Sequence, residues 1–167
     1  MRAALLALVE TKPFEKITIR DICAQAGTGY ATYFRHYPDT DTLLDDLAAE
    51  EIAQLLAHAM PITMSVDSRA GCRALCQYVA GHRQLWSTLL TGGAASRLRE
   101  EFIRQARLAV PDATPSPDWL PLDLAIVVGT SSAIDVLAWW LAHGHDLSIE
   151  QIAEILDRLV VAPMTKG

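Results

Sequence analysis

Residues 17–38 combine side chains whose types and spacing predict DNA recognition. The segment starts with a hydroxyl on Thr18 and a guanidinium on Arg20, and it continues through a glycine-containing turn to a second run from Tyr30 to Pro38. Hydroxyl and guanidinium groups bond phosphate oxygens and base edges, which is the chemistry of DNA binding. Two short helices joined by such a turn form the helix-turn-helix that enters the major groove. The sequence therefore predicts a DNA-binding module near its start.

Local signals define the helices that position these groups. Apolar residues at helical spacing predict a first helix ending at Pro13-Phe14: Leu5, Leu8 and Val9. Thr18 with Asp21 three residues later is typical of a capping box that starts the second helix. That helix has an apolar stripe at i, i+3, i+4 and i+7, formed by Ile19, Ile22, Cys23 and Ala26.

The turn and the third helix follow directly. Gly27 and Gly29 supply the turn. Tyr33 and Tyr37, four residues apart, are interpreted as the buried inner face of the third helix, which Pro38 ends.

The rest of the chain also predicts helices, with no period-two strand pattern, so the fold class is all-α. Asp39 caps a fourth helix, and Gly144 and a Ser148–Gln151 capping box mark the end of one later helix and the start of the last. The expected helices run from 39 to about Met60, from Asp67 to about Thr91, from Ala94 to about Val110, from about Leu120 to His143, and from Ser148 to about Val161.

Composition and charge limit the possible function classes. The chain has 167 residues and a net charge of −6, but residues 1–40 carry five basic and four acidic side chains, so the acidic excess lies elsewhere. No stretch of about 18 residues is apolar without charges, which disfavours a membrane span. The apolar start is interpreted as a folded helix, since no small-residue cleavage site follows it.

Three cysteines without a secretion signal favour reduced thiols and a cytoplasmic location. Cys72 and Cys76 stand four residues apart on one helix, but no further metal ligands are marked nearby, and the geometry suits an intrahelical disulfide poorly. They are interpreted as small buried residues, with redox or metal sensing as the alternative. No metal or other cofactor is expected. With no nucleophile–base pair or phosphate loop in sight, the chain is not expected to be an enzyme.

The first 47 residues closely resemble the N-terminal domain of TetR-type (tetracycline-repressor-type) transcriptional regulators. The matching residues are Lys12-Pro13-Phe14, Thr18-Ile19, Asp21-Ile22, Ala26-Gly27, Ala31-Thr32-Tyr33-Phe34, Arg35-His36-Tyr37-Pro38 and Leu43-Leu44. Trp139-Trp140-Leu141, Gly144 and the Ser148-capped helix are a looser match. The resemblance implies a DNA-binding domain over 1–45 and a helical effector-binding and dimerisation domain over 46–167.

The resemblance also implies roles in DNA binding. Thr18 and Arg20 would face phosphate or a base edge, the third helix would lie in the major groove, and Phe34 and His36 would face the DNA backbone. Thr18 is in any case a helix cap, and His36 has a plain surface position as its alternative. The implied DNA contacts are Thr18, Arg20, Gly29, Tyr30, Ala31, Thr32, Phe34, Arg35, His36 and Thr40.

Several departures from the family pattern predict weaker and less salt-dependent DNA binding. The family usually has tyrosine at Phe34 and lysine at Thr40, its turn differs from Thr28-Gly29, and its members usually carry basic residues before the first helix. The leading interpretation is a ligand-responsive regulator, more often a repressor, that binds a palindromic operator as a homodimer. The alternative is a dimeric protein that binds a small molecule or another partner and has a degenerate helix-turn-helix.

The last two long helices would pair with those of a second copy. Implied dimer contacts are Ile126, Thr130, Ile134, Leu137, Trp140, Ile152, Ile155 and Leu159, with intrachain core as the alternative. An apolar or aromatic effector of unknown identity would contact Tyr78, His82, Trp86, Leu89, Leu90, Phe102 and Trp119. For each of these residues, ordinary core packing is the alternative.

Overall fold

The computed structural model describes residues 1–63, 67–92, 95–111, 114, 118–143 and 146–165. This part of the chain is helical, with no strand, which confirms the predicted fold class. The helices are α1 (Arg2–Val9), α2 (Ile19–Ala26), α3 (Tyr30–His36), α4 (Thr40–Thr63), α5 (Ser68–Gly81), α6 (Arg83–Thr91), α7 (Ala95–Ala109), α8 (Leu122–His143), α9 (Ile149–Leu156) and α10 (Ala162–Thr165). A 3₁₀ turn spans Phe14–Lys16, and a π turn, Asp157–Val161, joins α9 to α10.

The capping box at the start of α2 is confirmed. The Thr18 hydroxyl accepts a hydrogen bond from the Asp21 backbone N–H at 3.2 Å, and the Asp21 carboxylate accepts one from the Thr18 N–H at 2.9 Å. Gly27 then ends the helix in the left-handed region, at φ 62° and ψ 36°. These two signals fix where α2 begins and where the chain turns towards α3.

The third helix is shorter than predicted. It ends at His36, and Tyr37 has an extended backbone at φ −137° and ψ 126° because it precedes a proline. Asp39 then starts α4, as predicted, by accepting hydrogen bonds from the backbone N–H and the hydroxyl of Thr42, both at 2.7 Å.

The prediction of one long helix from Asp67 to Thr91 is wrong. Asp67 caps the start as expected, but the helix breaks at His82, whose backbone lies at φ −130° and ψ 51°. Gly81, just before the break, is a weak helix former. The Glu10 carboxylate at the end of α1 accepts a hydrogen bond from the Leu85 N–H at 3.4 Å, so a residue distant in sequence caps the new helix.

The last helical segment starts at the predicted Ser148–Gln151 capping box and continues past Val161 to Thr165. The expected cap at Gly144 lies outside the described residues. Gly129 of α8 lies close to the end of this segment, because a Cβ on it would be only 3.0 Å from Met164 Sδ. The last segment therefore packs against α8 of the same chain.

One hydrophobic core connects the predicted domains. It runs from Leu5 and Tyr33 in the N-terminal helices to Leu156 and Val160 near the C-terminus. Helix α4 crosses residue 45 without a break, and its Leu43, Leu44 and Leu47 are all buried. The division at residue 45 remains a prediction.

Candidate nucleic-acid interface

Helix α3 presents three apolar side chains to solvent on one face. Tyr30 is 51% and Phe34 is 54% exposed, and Ala31 beside them is exposed as well. Residues four apart on a helix lie on the same face, so the two rings project from one side of α3. We call these three residues, Tyr30, Ala31 and Phe34, the exposed face of α3.

Tyr33 holds this helix against the body of the protein. Its ring is fully buried, and its hydroxyl donates a hydrogen bond to the Asp39 carbonyl at 3.0 Å. Burial raises the pKa of Tyr33 above its ordinary value. The expectation that Tyr33 belongs to the core is confirmed, and its anchoring leaves the opposite side of α3 free.

Three cations near α3 are available for a ligand. Within the described residues, Lys16, Arg20 and Arg35 have no ion pair. Asp21 pairs with Lys12 at 2.8 Å, and Asp39 caps α4. The three cations are therefore not held by carboxylates of the described residues, which suits a polyanion.

The Thr18 hydroxyl is committed to helix capping. It donates to the Asp21 carboxylate at 2.7 Å, in addition to accepting from the Asp21 N–H. The Lys12 ammonium and the Thr18 groups hold the pKa of Asp21 well below its usual range. If Thr18 contacts DNA as predicted, its hydroxyl must either keep both hydrogen bonds to Asp21 while it does so or rotate away from Asp21.

The remaining predicted DNA contacts differ in exposure. Gly29, Arg35 and His36 are exposed, while Thr32 and Thr40 are half-buried. Phe34 packs edge-on against Tyr33, with 5.6 Å between ring centroids, and has no hydroxyl to offer a phosphate. Lys16 is a further candidate for a DNA contact that is not among those predicted from the sequence. Its position two residues before the capping Thr18 is the sequence feature that would have indicated it.

Polar contacts tie the helix-turn-helix to α4. The Tyr37 hydroxyl donates to the Asp46 carboxylate, and burial together with this hydrogen bond raises the pKa of Tyr37 to about 12. Arg2 of α1 bonds Asp46 at 3.3 Å and Glu50 at 2.8 Å. A displacement of α4 would therefore be transmitted to the helices that carry α3.

Most of the predicted effector contacts are packed in the interior. Trp86, Leu89, Leu90 and Phe102 are buried, and the Trp86 and Phe102 ring centroids lie 5.9 Å apart. Tyr78 and His82 are half-buried beside them, with 6.1 Å between their rings. Trp119 is 71% exposed and forms no part of this cluster.

A separate cleft of about 250 Å³ lies between α4, α6 and α7, and Leu89 is the one predicted effector contact in its lining. The cleft contains Asp45, Arg97 and Glu101, but these charges are already satisfied within the chain. Arg97 pairs with Asp45 at 3.3 Å, and Glu101 accepts hydrogen bonds from Arg104 and Gln105.

Four of the predicted dimer contacts are core residues. Ile134, Leu137, Trp140 and Ile152 are all buried within one chain, so they have no surface left to lose to a partner. The apolar pattern of a helix such as α8 does not show which of its sides faces the core of the same chain, so core residues and interface residues look alike in the sequence. Ile126, Thr130 and Ile155 are half-buried, and Leu159 is 66% exposed.

Other residues of α8 form its outward apolar face. Leu124, Val128 and Trp139 are exposed large apolar residues, and their spacing of four and eleven places them on one side of the helix. By length and composition alone, helix α8 is also long and apolar enough to cross a membrane. Only 22% of its apolar 18-residue window is buried inside the protein. Because small and large apolar residues alternate along α8, the sequence pattern does not distinguish this outward face.

Cys72 and Cys76 are buried, and burial raises the pKa of each thiol to about 12. Neutral buried thiols are poor nucleophiles, which fits their interpretation as small core residues. Among the described residues, no group of three or more histidine, cysteine or carboxylate side chains is placed to hold a metal ion.

Comparison with solved structures identifies the fold. The chain is similar to a TetR transcriptional regulator from Streptococcus agalactiae, with a TM-score of 0.62, 20% identity, and coverage of 96% of this chain and 90% of that one. It is similar to RolR solved without ligand, with a TM-score of 0.65, 18% identity, and coverage of 95% and 88%. A putative TetR-family regulator from Shewanella sp. PV-4 matches with a TM-score of 0.60, 14% identity, and coverage of 99% and 96%. No protein-family model and no curated protein matches the sequence.

Proposed function

We propose that this chain, whose fold is that of TetR-family transcriptional regulators, is itself a DNA-binding transcriptional regulator of the cytoplasm. The observation that carries the proposal is the position of α3. Its inner side is anchored by buried Tyr33 and its outer face is exposed. Arg20 of α2 and Arg35 of α3 have no ion pair within the part of the chain that the structure describes. A helix presented in this way fits the major groove, and the cations match the charge of the phosphates.

The regulator acts as a homodimer on a palindromic operator. The outward face of α8, extended by exposed Leu159, is the surface we assign to the partner. An apolar helix with so little of its surface buried needs a cover in water. Two-fold pairing through α8 and the last helical segment would place two copies of α3 about 34–36 Å apart, one helical turn of DNA.

A small apolar or aromatic effector would release the operator, which makes the chain a repressor. The aromatic cluster around Trp86 and Phe102 supports an apolar site. The buried Trp86 indole N–H has no hydrogen-bond partner within the described residues and would donate to an acceptor atom of the effector. Helix α4 connects that region to the DNA-binding helices through Asp46 and Glu50. Effector binding would favour a position of α4 at which the two copies of α3 no longer match the half-site spacing.

Titration of labelled duplexes from the gene's own upstream region, followed by fluorescence anisotropy, tests DNA binding. We expect saturable binding to one duplex that Arg20→Ala and Thr32→Ala both weaken. Arg73→Ala is the matched control, because Arg73 is an exposed arginine on α5. Equal binding to all sequences, or identical loss in all three variants, would overturn the assignment.

Two features favour the second candidate, a dimeric ligand- or partner-binding protein with a degenerate helix-turn-helix. Phe34 has no hydroxyl, and Thr40 has no charge, where the resemblance would place phosphate contacts. This candidate predicts a stable dimer that binds no duplex specifically at low salt, so the same titration separates the two.

A further inference from the structure

We infer that α3 recognises thymine methyl groups, so that the preferred half-site has thymine at the positions facing Tyr30, Ala31 and Phe34. This assigns a base to Phe34 in place of the DNA backbone that the resemblance implies, because its ring has no hydroxyl to offer a phosphate. The inference rests on the proposed function, since it names the class of DNA sequence that the same helix binds. It follows from the chemistry of the exposed face of α3.

The exposed face is apolar at its centre. Both rings are about half exposed, and the Ala31 methyl lies beside them. In the major groove, thymine presents a C5 methyl group beside its O4 acceptor, whereas guanine, adenine and cytosine present only hydrogen-bonding groups at their edges. Thymine is therefore the base whose exposed edge offers an apolar face an apolar group to cover.

Groups suited to guanine are displaced from this centre. Arg35 lies at the edge of this face, four residues after Ala31 and about 100° around the helix from Phe34, and Arg20 belongs to α2. None of the three residues of the exposed face is an arginine, lysine, asparagine or glutamine. Arginine contacts with guanine would therefore fall at the edges of the half-site or be replaced by phosphate contacts.

Charge favours DNA over a protein partner for the same face. Lys16, Arg20 and Arg35 come from the same small module and have no ion pairs within the described residues. An apolar protein groove would leave three cations without partners, whereas duplex DNA supplies phosphates on both sides of the groove.

The test begins with selection of binding sites for the full chain from a random duplex library. The selected duplex is then resynthesised with deoxyuridine in place of thymine, which removes the C5 methyl group and keeps the pairing. A second duplex has deoxyuridine at thymines outside the protected half-sites, as a control for altered DNA shape. Because only the DNA changes, protein folding does not affect the comparison.

We expect affinity to fall about three- to fivefold for each contacted methyl that is removed, in line with the transfer free energy of one methyl-sized group. The control duplex should bind as tightly as the unmodified one. The loss should shrink in Phe34→Ala and Tyr30→Ala but persist in Phe34→Tyr, which keeps the ring.

The outcomes distinguish the two proposals. A selected site that binds equally well with deoxyuridine, or a loss that is the same in all variants, overturns thymine recognition and leaves DNA binding intact. Failure to enrich any sequence overturns the regulator function, and thymine recognition with it. Enrichment of guanine-rich half-sites also overturns the inference.

Discussion

At the residue scale, Asp21 stabilises the start of α2, the first helix of the helix-turn-helix. It accepts hydrogen bonds from the Thr18 backbone and hydroxyl and pairs with Lys12 across the junction of α1 and α2. A neutral carboxyl would lose the ion pair and weaken the cap, so the charge of one side chain influences the orientation of α2 and, through Gly27, of α3.

Asp21→Asn should destabilise the protein at neutral pH, and the difference in stability should shrink progressively as the pH falls below about 4. The folded-state pKa of Asp21 is depressed, so its contribution is complete above the unfolded pKa of about 4 and declines as the pH falls below it. Urea unfolding of both proteins between pH 7 and pH 2 measures the difference. Glu15→Gln is the control, since Glu15 is exposed and has no ion pair within the described residues, and a constant Asp21→Asn difference at all pH values would refute the prediction.

Thr40→Lys should strengthen DNA binding and increase its dependence on salt. One added phosphate contact per protomer steepens the slope of log K against log [salt] by about 0.9, and so by about 1.8 for a dimer. Gln77→Lys adds the same charge at an exposed position on α5 and should leave the slope unchanged. Equal slopes for the wild type and Thr40→Lys would place Thr40 away from the phosphates.

At the element scale, the turn between α2 and α3 depends on one glycine conformation. Gly27 has φ 62°, which disfavours any residue with a Cβ, whereas Gly29 lies at φ −94° in the extended region. Neither glycine has an atom within 4 Å of a Cβ added to it, so a substitution to alanine tests backbone conformation alone.

Gly27→Ala should cost about 1–2 kcal/mol of folding free energy, because alanine must enter the left-handed region. Gly29→Ala should cost less, about 0.5 kcal/mol, because its extended backbone suits alanine and only the poorer N-capping of alanine opposes the change. Chemical denaturation measures both variants. Similar losses in the two would show that the turn is not governed by φ at Gly27.

Local signals were enough to predict most elements but not their interruptions. The capping boxes at Thr18 and Ser148 and the caps at Asp39 and Asp67 involve residues three apart, so the sequence contains both partners. The break at His82 depends on Glu10, which is distant along the chain. Apolar periodicity also predicts α8 as a helix, but it does not show which side of the helix faces the core of the same chain. Trp140, a predicted dimer contact, is therefore found buried within its own chain.

At the scale of the whole molecule, the proposed dimer depends on the outward face of α8. Two of its carboxylates bind α7, with Asp123 accepting from Arg107 at 2.7 Å and Asp135 pairing with Arg99. These ion pairs hold α8 against its own chain, and they leave Leu124, Val128 and Trp139 facing outwards. A second copy that covers this face would also set the distance between the two copies of α3.

Val128→Glu should convert the dimer to a monomer. An unpaired carboxylate in an apolar interface costs about 3–5 kcal/mol, which raises the dimer Kd more than about a hundredfold. Leu108→Glu is the control, because Leu108 is 76% exposed on α7 and lies outside the proposed interface. Sedimentation velocity at micromolar concentration distinguishes the two, and a dimeric Val128→Glu would move the interface elsewhere.

Two copies of α3 on one palindromic site should leave a two-part chemical footprint when the full chain binds its selected duplex. We expect protection of two major-groove windows, centred about 10 base pairs apart or a multiple of that spacing, with both windows lost in Arg20→Ala. A single protected window, or protection that is uniform along the duplex, would show that two copies of α3 do not bind one palindrome.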